Sequence, residues 1–397
     1  LLAFVKRVRT KTVLYLRDVE TGEEWPVYDK LCKDQSEAWT IFGSYTGFAW
    51  TPDDKYIVIW AGGKIMKVDA KGENAAAEIP FTCNVKQHIT DAVRFPQDLN
   101  PAQFNVNVIR HAVTSPDGKY LVFNALGHIY KKALPDGKPE RLTQNKELEF
   151  EPVFSPDGTS LAFVTWDDEK KGGISVMGMG KNAMPVKVTQ NKGMYRTPAF
   201  SPDGKTLVFT KEGSDGIMGN TYTIKPGIYT MPVGGGKEDF VTDKGEYPKY
   251  DRTGKRIYYQ IGGNLFGGLD KSFHSCKPDG SDDRTIFKGK YTSQYSVSPD
   301  GNWIAFVDLH EVYIAPFPHT GKEISLSGDS SDFPVRKVSL DAGINLHWSA
   351  DNKKLHYTLG DQYYSINLEE RFGFISGRPD SLFKIPDHGV SIGLTAN

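Results

Sequence analysis

The chain has 397 residues, with 48 basic and 49 acidic side chains and a net charge of −1. This balance excludes the basic surface with which proteins bind a nucleic-acid backbone, and no basic block stands out locally. No run of about 18 apolar residues occurs, so the sequence predicts no membrane span. Aromatic residues make up 12% of the chain and charged residues 24%, which is typical of a globular protein with a packed core.

The chain contains a repeated turn, which we call the anchor. Its clear copies read Ser-Pro-Asp-Gly, and weaker copies keep parts of that pattern. Proline presets the first central position of a type I turn, aspartate bonds the backbone ahead, and glycine takes the left-handed conformation that closes a hairpin. From the second anchor on, the copies are spaced by roughly 40–50 residues, as propeller blades are. The seven anchors begin at Thr51, Ser115, Ser155, Ser201, Asp251, Ser298 and Ser349.

Each anchor lies between a short strand and a strongly apolar run, such as Leu161–Val164 or Trp303–Val307. These runs are apolar on consecutive residues, which indicates strands buried on both faces. A third strand and a fourth, more polar strand follow in each copy. The sequence therefore predicts an all-β fold, a β-propeller of about seven four-stranded blades. Six or eight blades fit the same spacing.

The start of the chain reads as the middle of a blade. Leu2–Val5, Thr12–Leu16 and Glu24–Val27 match the second, third and fourth strands, so the first blade is predicted to be incomplete. We expect the chain to be a fragment of a longer protein. Either a strand at Val390–Leu394 fills the gap in that blade, or the blade is left open.

The domain boundaries follow from the same spacing. Residues 1–372 are predicted to form the propeller, and residues 373–397 a C-terminal extension leading toward an absent domain. Residues 83–109 contain no anchor. They are either a long loop or, with a boundary near 79–109, a junction between two rings. In the second case a six-bladed ring begins at Arg110.

The sequence contains no strong catalytic or metal-binding motif, so we predict no catalytic, cofactor or metal residue in this chain. His347 and His356 lie on predicted strands of the last repeat, and a metal pair there is conceivable, but structural histidines are the favoured interpretation. Asp279, Asp282 and Asp283 resemble a sparse calcium loop that lacks the expected glutamate, so a solvated turn is favoured. The recurring anchor aspartates are interpreted as turn residues: Asp117, Asp157, Asp203 and Asp300.

At its anchors the chain resembles the TolB-like propeller repeats, which are relatives of the WD-type repeat. The same unit occurs in tricorn-protease propellers and in the dipeptidyl-peptidase class. The resemblance covers nearly the whole chain and implies the propeller fold. It does not imply one activity, because propellers serve many unrelated functions.

Three stretches resemble a narrower group, the N-terminal propeller region of large bacterial amidohydrolase-family proteins. They are Leu126–Tyr130, Arg196–Gly204 and, above all, Asp341–Ser349. In that family a metal-dependent hydrolase barrel follows the propeller, and the proteins are usually exported. The resemblance implies a periplasmic or secreted location. The family's metal-binding His-x-His would lie beyond Asn397, so no catalytic residue carries over.

The sequence therefore favours two alternative functions. The first is a non-catalytic module of a larger exported, amidohydrolase-like hydrolase, which gates or docks substrate for an attached or associated hydrolase domain. The second is a free-standing TolB-like module that binds a protein or peptide at the channel mouth. A propeller enzyme with its site in the axial funnel is a third, less favoured, interpretation. No cofactor is expected in this chain.

Overall fold

The computed structural model describes residues 1–9, 11–34, 45, 47–96, 98–213, 223–263, 268–331, 334–371, 384–386 and 388–396. Across these residues the regular secondary structure is almost entirely β-strand. The one helix among them is a single turn, α1, at Leu368–Arg371. No helix in this part of the chain is long and apolar enough to cross a membrane. The predicted all-β class is confirmed.

The chain divides into two compact units, which are described separately. The first comprises Leu1–Leu99, and the second comprises Asn100–Gly213 and Tyr222–Asn397. The boundary after Leu99 lies inside the segment that has no anchor. No strand is assigned to the described residues between β7, which ends at Ile79, and β8, which begins at Phe104.

The first unit contains two antiparallel sheets. The first sheet has three strands, in the order β1-β2-β3, which lie where the sequence predicts the second, third and fourth strands of a blade. The second sheet, β4-β5-β6-β7, is built around the anchor at Thr51. The strands are β1 Leu2–Val8, β2 Lys11–Arg17, β3 Glu24–Tyr28, β4 Phe48–Trp50, β5 Tyr56–Ala61, β6 Lys64–Asp69 and β7 Ala77–Ile79.

The second unit contains six blade-like sheets, each beginning just before an anchor, and one two-stranded sheet formed by Phe104–Asn105 and Thr395–Ala396. The first three sheets follow a two-residue strand, β8 Phe104–Asn105, and have four antiparallel strands each. Their strands are β9 Arg110–Thr114, β10 Tyr120–Ala125, β11 His128–Ala133, β12 Glu140–Arg141, β13 Leu148–Phe154, β14 Ser160–Trp166, β15 Gly173–Gly178, β16 Val186–Lys187, β17 Met194–Phe200, β18 Thr206–Glu212, β19 Gly227–Pro232 and β20 Asp239–Thr242.

The remaining three sheets repeat this plan with one addition. The fourth sheet gains a fifth strand, Ile324–Ser325, which runs parallel to Arg284–Gly289. Their strands are β21 Glu246–Tyr250, β22 Ile257–Gly262, β23 Lys271–Cys276, β24 Arg284–Gly289, β25 Thr292–Val297, β26 Trp303–Asp308, β27 Glu311–Pro316, β28 Ile324–Ser325, β29 Arg336–Lys337, β30 Ile344–Trp348, β31 Lys354–Leu359, β32 Gln362–Asn367 and β33 Val390–Ser391. The last strand, β34 Thr395–Ala396, belongs to the two-stranded sheet with β8.

The second strand of each clear copy is buried on both faces, as its apolar run predicts. Strands β10, β14, β18 and β26 have interiors of consecutive buried residues, with Phe123, Phe163, Phe209 and Phe306 fully shielded from water. Each sheet thus packs on both sides. This burial supplies the main hydrophobic stabilisation of the unit.

The six sheets of the second unit form a closed circle. The first strands of neighbouring sheets contact one another from β9 through β13 and β17 to β21, the fourth sheet meets the fifth through β23 and β25, and β25 contacts β30. Strand β30 then contacts β9, which joins the last sheet to the first. The first strands therefore lie nearest the axis of the unit.

Residues from both ends of the second unit meet at this closure. Strand β34 pairs with β8, and Val106 N–H donates to the carbonyl oxygen of Leu394 at 2.8 Å. A buried apolar cluster there combines Ile109, Phe123, Tyr363 and Ile392 with their neighbours. Since these contacts join distant parts of the sequence, they hold the circle shut without a covalent link.

The predicted count of about seven blades is not confirmed, since six blade-like sheets belong to the second unit and two sheets to the first. The bounds of the propeller at 1–372 and of the C-terminal extension at 373–397 stay a prediction. The described part of residues 373–397 contributes a strand to the last blade-like sheet. Val390–Ser391 pairs with β32 as the fourth strand of the last sheet, so it does not fill the gap in the first blade.

The anchors have one geometry throughout. At the second anchor the Ser115 hydroxyl donates to the Asp117 carboxylate at 2.6 Å and accepts the Tyr120 N–H at 2.9 Å. The anchor glycines have φ between 70° and 73°, as the turn requires: Gly118, Gly158, Gly204, Gly254 and Gly301. Asp54 and Asn352 take the same position in two weaker anchors, at φ 55° and 62°. They are residue types that tolerate this conformation.

Replacing Gly204 by valine tests the anchor. A Cβ at Gly204 meets only Pro156, at an ordinary 3.8 Å, so the cost lies in the backbone conformation. We expect Gly204→Val to lower the free energy of unfolding by about 1–3 kcal/mol. Gly204→Asn is the matched control, and it should lose clearly less because asparagine already serves at Asn352. Equal urea midpoints for the valine variant and the parent would contradict the turn assignment.

Candidate functional site

The first strands of the second unit share a bulge at the same height. Pairing with the next strand shifts register in β9, β13, β17, β21, β25 and β30. In five of these sheets the residue four positions before the anchor lies inside the irregular stretch, and in the sheet of β25 it directly follows it. All six residues carry a polar group. We call these six residues the polar rim: His111, Glu151, Thr197, Tyr247, Gln294 and Asn345.

Five of the six rim residues have a left-handed backbone, with φ between 48° and 58°: His111, Glu151, Thr197, Tyr247 and Asn345. That conformation is unfavourable for residues other than glycine, and for the β-branched threonine most of all. Such strain collects where a structure needs a side chain in a particular direction. Because the first strands lie nearest the axis, the rim surrounds the opening of the channel opposite the anchors.

An ion-pair network crosses the rim between the second and third sheets. Arg196, which precedes rim residue Thr197, donates from Nε to the Glu151 carboxylate at 2.8 Å and from a terminal nitrogen to Glu212 at 3.0 Å. The Thr197 N–H donates to the other oxygen of Glu151. The Glu151 side chain is only 6% exposed, whereas that of Arg196 is 36% exposed. The network therefore holds a guanidinium in fixed orientation with one side open to water.

Two other rim residues have shifted pKa values. Burial raises the pKa of Tyr247, and the carboxylates of Glu246 and Glu151 raise it further, so its phenol stays protonated. Burial lowers the pKa of His111, although Glu151 opposes that shift. At neutral pH the rim and the adjoining Arg196 thus present a neutral imidazole, a phenol, a guanidinium and amides. These are groups that hydrogen-bond a polar ligand.

His347 and His356 lie side by side, with ring centroids 5.1 Å apart. The Nε2 of His347 accepts the Thr114 N–H at 3.1 Å, and its Nδ1 donates to the carbonyl of Asn345 at 2.8 Å. The Nδ1 of His356 is 2.7 Å from the Tyr363 hydroxyl. These partners occupy both nitrogens of His347. The bond to Thr114 joins β30 to β9, so His347 helps close the circle of sheets.

The aspartates of the suggested calcium loop point to different partners. Asp279 accepts the Ser281 N–H, Asp282 pairs with Arg256 and Arg284, and Asp283 accepts the Tyr259 hydroxyl. Within the described ranges, no group of three or more His, Cys, Asp or Glu side chains is placed to hold a metal ion.

The polar rim was missed by reasoning from the sequence. The signal was available, since aligning the repeats on their anchors places a polar residue four positions before each of the six. Its meaning depends on the bulge, however, and neither hydrophobic periodicity nor turn chemistry predicts a bulge in these strands.

Acid should weaken the closure of the second unit. Burial lowers the pKa of His347 to about 4 and that of His356 to about 2, while unfolded histidine titrates near 6.5. The unfolded chain therefore binds more protons below pH 6.5, and stability falls as the pH drops from about 6.5 toward 4. His347→Gln should take up about one proton fewer on unfolding near pH 5.

The measurement is the free energy of unfolding in urea at a series of pH values. His88→Gln, at an exposed histidine, is the control and should leave the pH dependence of this free energy unchanged. If the free energy of unfolding depends on pH equally in His347→Gln and in the parent, burial does not lower the pKa of His347, and this account of the closure is wrong.

The chain matches one protein family. The TolB beta propeller domain family matches residues 107–312, about half of the chain. No curated protein matches the sequence.

Solved structures similar to the chain include two described as TolB. A putative TolB from Agrobacterium tumefaciens is 22% identical, with a TM-score of 0.49, over 65% of this chain and 97% of that one. TolB from Acinetobacter baumannii is 14% identical, with a TM-score of 0.45, over 92% of this chain and 76% of that one.

Proposed function

Since the chain belongs to the TolB β-propeller domain family, we propose that it is a binding module whose polar rim holds an extended segment of a protein or peptide. The observation that carries this proposal is the recurrence of polar side chains at one height on six neighbouring strands, five of them in a strained backbone conformation. Strain repeated at one place in a fold is typical of a functional surface.

The side chains at the rim suit peptide recognition. Arg196 and the exposed Arg110 directly precede the rim residues Thr197 and His111 and offer guanidinium donors. Tyr247 offers a partly exposed ring with a protonated hydroxyl. Arginine and tyrosine are the residues that most often dominate binding energy at protein interfaces. Carbonyl groups of an extended backbone are the natural acceptors for these donors.

The rim is also prepared for binding in advance. Arg196 is fixed by Glu151 and Glu212, and the Asn345 side chain accepts the His111 N–H at 2.9 Å while donating to Thr358. Side chains that are already ordered lose less entropy when a ligand binds. The site thus favours a ligand that fits the existing arrangement over one that must reorganise it.

At a finer level, we propose that the module serves a larger exported hydrolase of the amidohydrolase type, to which it delivers or admits substrate. The support is the likeness of Asp341–Ser349 and the two shorter stretches to the propeller region of such proteins. In this role the rim would hold the substrate or its carrier. A natural reading frame with a hydrolase barrel containing His-x-His after Asn397 is the expected result. A stop codon directly after Asn397 would leave the free-standing binding module.

Peptide display on the immobilised chain tests the role of the rim. Linear peptides that bind the parent should lose affinity by about tenfold, or roughly 1.4 kcal/mol, on Arg110→Ala and on Tyr247→Asn. Asparagine is chosen because it tolerates the left-handed backbone at position 247. Both variants should keep the parent's urea midpoint.

Lys205→Ala is the matched control, because Lys205 is exposed in an anchor at the opposite end of a first strand. It should leave peptide affinity unchanged. Enrichment of peptides that bind all four proteins equally would place the binding surface away from the rim and end this proposal.

A further inference from the structure

Deeper in the channel, a lysine lies on the fourth of the six first strands. Lys249 occupies β21 two positions before its anchor, one level below the polar rim. The residues at the same level in the other five sheets are small, apolar or uncharged at neutral pH: Val113, Val153, Ala199, Ser296 and His347. Lys249 is therefore the single charged side chain at this level of the second unit.

Among the described residues, Lys249 makes no hydrogen bond and no ion pair, which sets it apart from three buried lysines of the same unit. Lys211 pairs with Glu238 at 2.8 Å, and Lys271 pairs with Glu246 at 2.6 Å. Lys132 donates to the carbonyls of Gly137 and Ile392. The unit thus supplies an acceptor to each of these three buried ammonium groups.

The surroundings do not compensate the charge of Lys249. Water reaches its side chain, yet the protein around it removes enough water to lower the pKa of the ammonium group. The charge also acts on His347, whose pKa it helps to lower. His347 stays neutral, since its Nε2 accepts the Thr114 N–H. An ammonium group that the surrounding protein partly desolvates is less stable in its charged form when it has no counter-charge.

We propose that Lys249 binds one carboxylate of a ligand, supplied by an acidic side chain or by the C-terminus of a peptide that enters the channel past the rim. This inference rests on the proposed function and names the chemistry of its ligand. A single carboxylate balances a single ammonium. A phosphate dianion would bring a second negative charge to a level that has no second cation.

The test uses amine-selective labelling of the whole chain with an N-hydroxysuccinimide ester, with each lysine mapped by mass spectrometry. Sodium acetate is the carboxylate probe, and sodium chloride and sodium phosphate are compared at equal ionic strength. Acetate at about twice its dissociation constant should slow labelling of Lys249 about threefold relative to chloride. Labelling of the exposed Lys205 should not change. Phosphate should protect Lys249 less than acetate does.

A variant gives a second, independent measurement. Lys249→Met keeps the length of the side chain and removes the charge. It should unfold at a urea concentration no lower than the parent in chloride, because it removes an uncompensated cation. Acetate should raise the parent's midpoint above that in chloride, and this difference should vanish in the variant.

Equal protection by acetate and chloride would overturn the carboxylate site. Stronger protection by phosphate would assign the site to phosphate and also overturn it. The rim variants report separately on the proposed function. Peptides that depend on Arg110 and Tyr247, found together with no acetate effect at Lys249, would remove this inference alone.

Discussion

The second unit depends on the junction at which its last sheet meets its first. A circle of sheets has a channel only if it closes, and here closure relies on contacts between residues more than two hundred positions apart. The Thr114 N–H bonds His347, the His111 N–H bonds Asn345, and β34 pairs with β8. Ile392 and Tyr363 then bury their side chains with residues that lead into β9. These bonds place β30 beside β9 and thereby complete both the polar rim and the level of Lys249.

Two local devices repeat around this circle and serve different ends of the first strands. The anchor at one end is a satisfied turn, in which serine, aspartate and a left-handed residue bond one another. The bulge at the other end is strained, and it carries side chains that are polar. The first device lets the repeat fold from local sequence. The bulge lowers that stability somewhat and holds polar side chains in position for a ligand, as is common at functional surfaces.

Much of the fold could be predicted because its signals are local. The anchors predicted the positive φ of Gly118 and Gly204, and the apolar runs predicted strands buried on both faces. The division of the sheets between two units was one of two alternatives in the sequence, since the segment 83–109 without an anchor fits either a long loop or a junction. The sequence also could not predict that Val390–Ser391 pairs with β32, because a two-residue strand carries no pattern that selects its neighbour. His347 could be placed on a strand, but its bond to Thr114 joins distant segments that no periodicity connects.

The central claim is that the second unit binds its ligand at the polar rim. Hydrogen exchange measured by mass spectrometry, on the chain with and without a peptide selected by display, tests it most directly. Slower exchange is predicted in the stretches that carry the rim, at 110–114, 148–154, 194–200 and 246–250. The outer strands, such as Val186–Lys187 and Asp239–Thr242, should exchange as before. Protection confined to the outer strands, with the first strands unchanged, would contradict the claim.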